Sequence, residues 1–266
     1  MNAQYTRACL LGLAVAATAL SFGQGRLYAV DSSRAFSEID MATGAKTVLG
    51  SVSANAGTTG GLAYNAVTGT MYVTSTGNDS LYTLDTTTFA ATLVGAYGDS
   101  AVVMHGLEYN STNGTLYGSS SHNGGLYSVN TVTGAATLIG TSGLTSFTNL
   151  GFNSATNTMY ATNSSADSFY SMNTLTGAMT LIGPLTGPTN PNGLAYNSDN
   201  GLLYLVDNST DILYTINTAT GAATAIGSTG SGNLLGLVYV PDAVPEPATM
   251  TILGLGALAL LRKKRK

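Results

Sequence analysis

The chain has 266 residues, a formal net charge of −4 and only 8% charged residues. Between residues 24 and 242 three cations stand against twelve carboxylates, a net charge of −9 that repels phosphate backbones and excludes a nucleic-acid partner. Cys9 is the single cysteine, so disulfides play no part in stability.

In chain order, the first element is a short apolar run. Arg7 precedes ACLLGLAVAATAL (8–20), and Ala17-Thr18-Ala19 offers a small-x-small cleavage site. This pattern predicts a secretory signal peptide over residues 1–23, too short for a spanning helix, to be handled by the Sec translocon and signal peptidase. Cys9 lies near the start of the run rather than at its end, which argues against lipidation.

The body that follows repeats itself. GLAYN (61–65) recurs as GLEYN (106–110), NLGFN (149–153), GLAYN (193–197) and GLVYV (236–240). A second element carries Tyr28, Tyr72, Tyr117, Tyr160 and Tyr204. A third reads FSEID, LYTLD, LYSVN, FYSMN and LYTIN, and a fourth ends in Gly50, Gly95, Gly140, Gly183 and Gly227. Each element alternates apolar and polar residues and is rich in β-branched and aromatic side chains, the mark of a strand. Asn-Gly and Thr-Gly pairs between the elements supply the backbone conformations of tight hairpins. Four antiparallel strands in a unit of about 44 residues predict a propeller blade. The first unit lacks its innermost strand and the chain ends on a spare one, Leu234 to Val240, which closes a ring. The expectation is an all-β, five-bladed β-propeller of four-stranded antiparallel blades within residues 24–242. Thirteen of the 15 tyrosines fall in strand slots, which predicts packing between blades rather than ligand stacking; Tyr5 and Tyr97 are the exceptions. The blades resemble extracytoplasmic propellers with repeats of the form LY.ID..TG..T.IG, a resemblance that implies the fold.

The C-terminus, residues 243–266, has three parts. Val244-Pro245-Glu246-Pro247 precedes the uncharged ATMTILGLGALALL (248–261), and the chain ends in Arg262, Lys263, Lys264, Arg265 and Lys266. Five cations after an apolar segment form a stop-transfer signal that is retained in the cytoplasm, leaving the preceding chain outside. At about 1.5 Å per residue the predicted transmembrane segment reaches roughly 21 Å, short of a hydrocarbon core of about 30 Å, which suits a temporary anchor. This tail resembles the PEP-CTERM sorting signal of exported proteins from Gram-negative bacteria that make exopolysaccharide. The resemblance implies processing by an exosortase in the inner membrane, with Pro245, Glu246 and Pro247 as recognition residues. It also implies delivery to the cell surface or extracellular matrix, where a polysaccharide or an envelope protein is the expected partner.

Candidate functional residues gather at one end of the predicted ring. In a propeller of this kind the loops entering the innermost strand and those joining the second and third strands share one face, at the mouth of the central channel. His105 immediately precedes the Gly106 strand, and His122, Asp79, Asp167, Asp207 and Asp211 fall in second-to-third-strand loops. Glu108 lies in an innermost strand where two blades have Ala and is expected to face the channel. Asp207-Asn208-Ser209-Thr210-Asp211 offers the oxygen set that calcium takes, yet lacks the downstream glutamate and glycine of a calcium-binding hand, and reads as a solvated Asx-rich turn. The two histidines lack further ligands at zinc spacing. No metal, cofactor or catalytic residue is therefore expected. A quinone cofactor is disfavoured by the absence of tryptophan and of an adjacent cysteine pair. These observations favour a non-enzymatic binding or scaffolding propeller over the alternative, a secreted hydrolase or lyase acting on a lactone or glycan through the acidic mouth.

Overall fold

The computed structural model describes residues 25–242, with the exception of Phe147. The signal peptide and the sorting tail expected from the sequence lie outside the described residues. Twenty strands form five four-stranded antiparallel sheets. Blade 1 is built from β1 (Arg26–Asp31), β2 (Ala35–Ile39), β3 (Lys46–Ser51) and β20 (Leu234–Val240), in the order β20-β1-β2-β3. Blade 2 holds β4 (Thr59–Asn65), β5 (Thr70–Ser75), β6 (Ser80–Leu84) and β7 (Ala91–Ala96). Blade 3 holds β8 (Met104–Asn110), β9 (Thr115–Ser120), β10 (Gly125–Val129) and β11 (Ala136–Thr141). Blade 4 holds β12 (Thr148–Asn153), β13 (Thr158–Asn163), β14 (Ser168–Met172) and β15 (Met179–Pro184). Blade 5 holds β16 (Pro191–Tyr196), β17 (Leu203–Asp207), β18 (Ile212–Ile216) and β19 (Ala223–Ser228). β20, the last strand among the described residues, completes the first sheet, pairing Arg26 with Val240 and Ala29 with Leu237. The five-bladed ring expected from the repeat is thus the observed fold.

Turn chemistry sets the hairpins. Asn65, Asn110, Asn153 and Asn197 each accept backbone N–H bonds from residues two and three further on, closing the turns between first and second strands. Asp40, Asp85 and Asn130 do the same between third and fourth strands. These short acceptors replace the carbonyls of a regular turn, which is why Asn and Asp recur at fixed places in the repeat.

The apolar core is divided among the seams. Five clusters of buried side chains occur, each drawing residues from two neighbouring blades. The strand tyrosines serve this packing: Tyr160 stacks on Phe169 with ring centroids 5.0 Å apart, between blades 4 and 5. Several of their hydroxyls find partners in the adjoining turns. Asn78, Asn113, Asn123 and Asn200 each donate to the hydroxyl of the tyrosine four residues on. Tyr97, outside the strand slots, is among the most deeply buried side chains and donates its hydroxyl to the Ser80 carbonyl at 2.9 Å.

Two rings of close backbone contact hold the blades together. Near the axis, a Cβ on Gly61 would lie 2.6 Å from the His105 carbonyl of the next blade, and one on Gly236 would lie 2.7 Å from the Gly60 carbonyl. Gly106 and Gly193 abut the following blade in the same way. Blade 4 has Asn149 at this position, and its Nδ2 donates across the seam to the Pro191 carbonyl at 3.3 Å. At the periphery, Gly95, Gly140, Gly183 and Gly227 press against the Thr-Gly turns of the adjoining blades at Gly134, Gly177, Gly221 and Gly44. The fifth peripheral contact differs, because Gly50 faces the ring of Phe89. The recurring glycines therefore serve seam contacts as well as hairpin turns.

Each outermost strand carries a register shift at its glycine end, against Phe36, Leu81, Leu126, Phe169 or Leu213. Such bulges blunt exposed edges against pairing with another chain.

Candidate functional site

All five second-to-third-strand loops lie at one end of the ring, where the mouth was expected. Their last residues are Arg34, Asp79, Gly124, Asp167 and Asp211, and all five have positive φ, from 44° to 78°. Asp tolerates this left-handed backbone better than most residues. Three of the candidate aspartates thus occupy one equivalent turn position, a conformational reason for their presence. His122 is exposed in the blade 3 loop.

Asp207 differs from the expected solvated turn. It ends β17 and is 2% exposed. Its Oδ1 accepts the Ser209 and Thr210 N–H groups at 3.0 and 2.8 Å and the Thr210 hydroxyl at 2.9 Å. Its Oδ2 accepts the Thr189 and Asn190 N–H groups at 2.8 and 2.6 Å. The carboxylate therefore ties its own turn to the loop that enters β16. Asp167 sits in the neighbouring blade, and its carboxyl is held above the usual range by desolvation and by the charge of Asp207. Its Oδ1 is buried without a hydrogen-bond partner, as are Asn192 Oδ1 and Thr162 Oγ1 from the same two blades.

His105 is inside β8 rather than before it, because the strand begins at Met104 and bulges between Met104 and Gly106. The ring is buried, with Nδ1 3.0 Å from the Ser121 hydroxyl. Burial, and then the nearby His122, pull its pKa down to about 4, so it is neutral at pH 7. Glu108, three residues on, is directed elsewhere. Its Oε1 accepts the Tyr109 N–H at 3.0 Å, and the Phe152 backbone of blade 4 also donates to the carboxylate. Desolvation outweighs these bonds and pushes its pKa up to about 8. Glu108 thus lies in the seam between blades 3 and 4 rather than in the channel, and the structure does not bring it together with the aspartates of the mouth.

The axis itself is closed. The five repeat leucines and the residues before them surround a space with no volume that a water molecule could occupy. Among the described residues no group of three or more His, Cys, Asp or Glu side chains is placed to hold a metal ion.

Open space occurs on the opposite face, in grooves that sequence reasoning did not anticipate. A groove of about 550 Å³ runs along the seam of blades 1 and 2, one of about 400 Å³ along the seam of blades 5 and 1, and one of about 390 Å³ follows blade 3 at the equivalent place. A smaller one of about 210 Å³ lies between blades 3 and 4. The first of these grooves coincides with a break in the peripheral motif, where blade 2 has Phe89 and the other four blades have Gly.

Comparison with solved structures finds the same fold at low identity. A chain of a nidogen/laminin complex matches with a TM-score of 0.60 and 14% identity, over 83% of this chain and 82% of that one. A protein of unknown function from Bacteroides thetaiotaomicron matches at 0.60 and 16%, over 84% and 63%. Virginiamycin B lyase from Staphylococcus aureus matches at 0.50 and 14%, over 77% and 70%. These likenesses show the fold alone. No curated protein matches the chain. Residues 243–266 match the PEP-CTERM protein-sorting motif, and the chain is therefore an exported, exosortase-sorted protein, anchored by its C-terminus before processing, that carries a five-bladed β-propeller.

Proposed function

We propose that this protein is a non-enzymatic binding or scaffolding component of the cell envelope or extracellular matrix, associated with the exopolysaccharide layer of its host. The observation that carries this reading is the sorting motif at 243–266, placed directly after the strand that closes the propeller. A binding role is also supported by the way the mouth uses its polar groups. The Asp207 carboxylate is engaged by five protein donors, and His105 and Glu108 are turned to different surroundings. The final address, the polysaccharide partner and the biofilm role are this reading's claims.

Fractionation of the host's matrix tests it. The protein should co-purify with the exopolysaccharide and leave the cell surface when polysaccharide synthesis is deleted. Retention in the membrane fraction in both strains would contradict the reading. So would metal-dependent turnover of a lactone or glycan by the purified protein that is abolished by Glu108→Gln or Asp207→Asn.

A further inference from the structure

We infer that the groove between blades 1 and 2, on the face opposite the mouth, is a binding site for an uncharged oligosaccharide segment. The groove is the largest of the described grooves, about 550 Å³, within the range of small-ligand sites. Its seam carries the one break in the peripheral motif. In four seams a peripheral glycine meets the Thr-Gly turn of the adjoining blade, backbone against backbone. In this seam Phe89 takes the turn position with φ 59°, and its ring stands against Gly50 and 5.9 Å from the ring of Phe36. An aromatic ring therefore stands between these blades at the periphery, next in sequence to Ala90, which lines the groove.

The lining suits a sugar. Among the tyrosines of the described residues only Tyr28, Tyr64, Tyr109 and Tyr196 are partly exposed, and the first two line this groove. An aromatic face stacks on the C–H face of a pyranose, and a phenol hydroxyl can bond to its rim. Thr70, Thr83 and Thr92 bring hydroxyls that both donate and accept. Asp85 adds a carboxylate whose Oδ1 already closes its own turn through Thr87 and Thr88, leaving Oδ2 to accept from sugar hydroxyls. No cation lines this groove, whereas the groove of blades 5 and 1 is lined by Arg26, Glu38 and Asp40. With Asp85 in the wall and a net charge of −9 over residues 24–242, a uronate polymer is repelled and a neutral glycan is favoured. The ligand class deepens the polysaccharide reading above and rests on it, while the site rests on the geometry of the seam.

The repeat itself supplies variants that fold. Phe89→Gly restores the residue of the other four blades, and Asp85→Asn installs the residue of blades 3, 4 and 5. Full-length protein in detergent is titrated calorimetrically with cellohexaose, chitohexaose and a galacturonate hexamer. One of the neutral hexamers should bind and the uronate should not. Phe89→Gly and Tyr64→Leu should each weaken binding about tenfold, with both variants still folded by circular dichroism at the titration temperature. The inference is overturned if neither neutral hexamer binds, if the uronate binds as well as they do, or if Phe89→Gly and Asp85→Asn leave the affinity unchanged. Matrix association together with failed titration would sink the groove and keep the proposed function; binding without matrix association would do the reverse.

Discussion

The two ends of the ring are built from the same repeat and differ in what they leave available. At the mouth, several polar side chains serve the fold: Asp207 holds two loops, His105 is buried and neutral, and three aspartates share one left-handed turn position, while Asp167 Oδ1 is buried without a partner. On the opposite face open grooves lie along the blades and their seams. Ionisable residues in a loop region are thus a poor guide to a site when the loops are short. Their first task is to satisfy the backbone, because a buried N–H without a partner costs about 1–3 kcal/mol.

That contrast can be broken or sharpened by substitution, beginning with the packing both ends share. Tyr160→Ala removes a ring 8% exposed and stacked on Phe169, and should destabilise the protein by about 3–5 kcal/mol in urea denaturation. An unchanged midpoint would remove the seam as the seat of stability. Gly236→Ala puts a methyl against the Gly60 carbonyl and Leu62 N–H, and should cost about 1–3 kcal/mol by the same measurement. A neutral result would mean that the axis is looser than described.

A third test compares one aspartate from each end. Asp207→Asn sets an amide N–H₂ against backbone donors, since both carboxylate oxygens accept, and should cost about 1–3 kcal/mol. Asp85→Asn keeps the turn acceptor on an exposed turn and should leave the denaturation midpoint unchanged. Equal losses would erase the distinction between the two ends.

Two further effects are in pH dependence, and they have opposite slopes. Glu108, with a folded pKa of about 8 against an ordinary 4.5, contributes stability that is full below pH 4.5 and is lost as pH rises through 8. His105, with a folded pKa of about 4 against 6.5, contributes stability that is present above pH 6.5 and is lost as pH falls through 4. Melting temperatures across pH 4–9 should show Glu108→Gln flattening the alkaline limb and His105→Asn flattening the acid limb. Superimposable curves for wild type and both variants would count against these placements.

Much of the fold was legible because the repeat states each strand five times. GLAYN, LYTLD and TLIG fall in β4, β6 and β11, and the spare strand closes the first blade as its truncation required. Tyr97 was not legible, since it stands outside the repeat and its burial depends on blade 3 packing over it. The seam role of Gly95 or Gly183 was hidden because a glycine needed for space reads in sequence like one needed for a turn. The candidate site was legible only as a place. Loop order put Asp79, Asp167, Asp207 and Asp211 at one end, but burial and donor count, which decide whether a carboxylate is available, are set by how the loops pack on one another, as where the loop entering β16 donates to Asp207.

The central claim, that a closed propeller is exported and sorted through its C-terminus, is tested most directly by mass analysis and localisation in the native host. Wild type is compared with a variant in which Pro245, Glu246 and Pro247 are changed to Ala. The wild type should lose the basic tail ending at Lys266 and reach the surface or matrix, while the variant stays intact in the inner membrane. Intact, membrane-bound protein in both cases would contradict it and leave the tail a plain anchor.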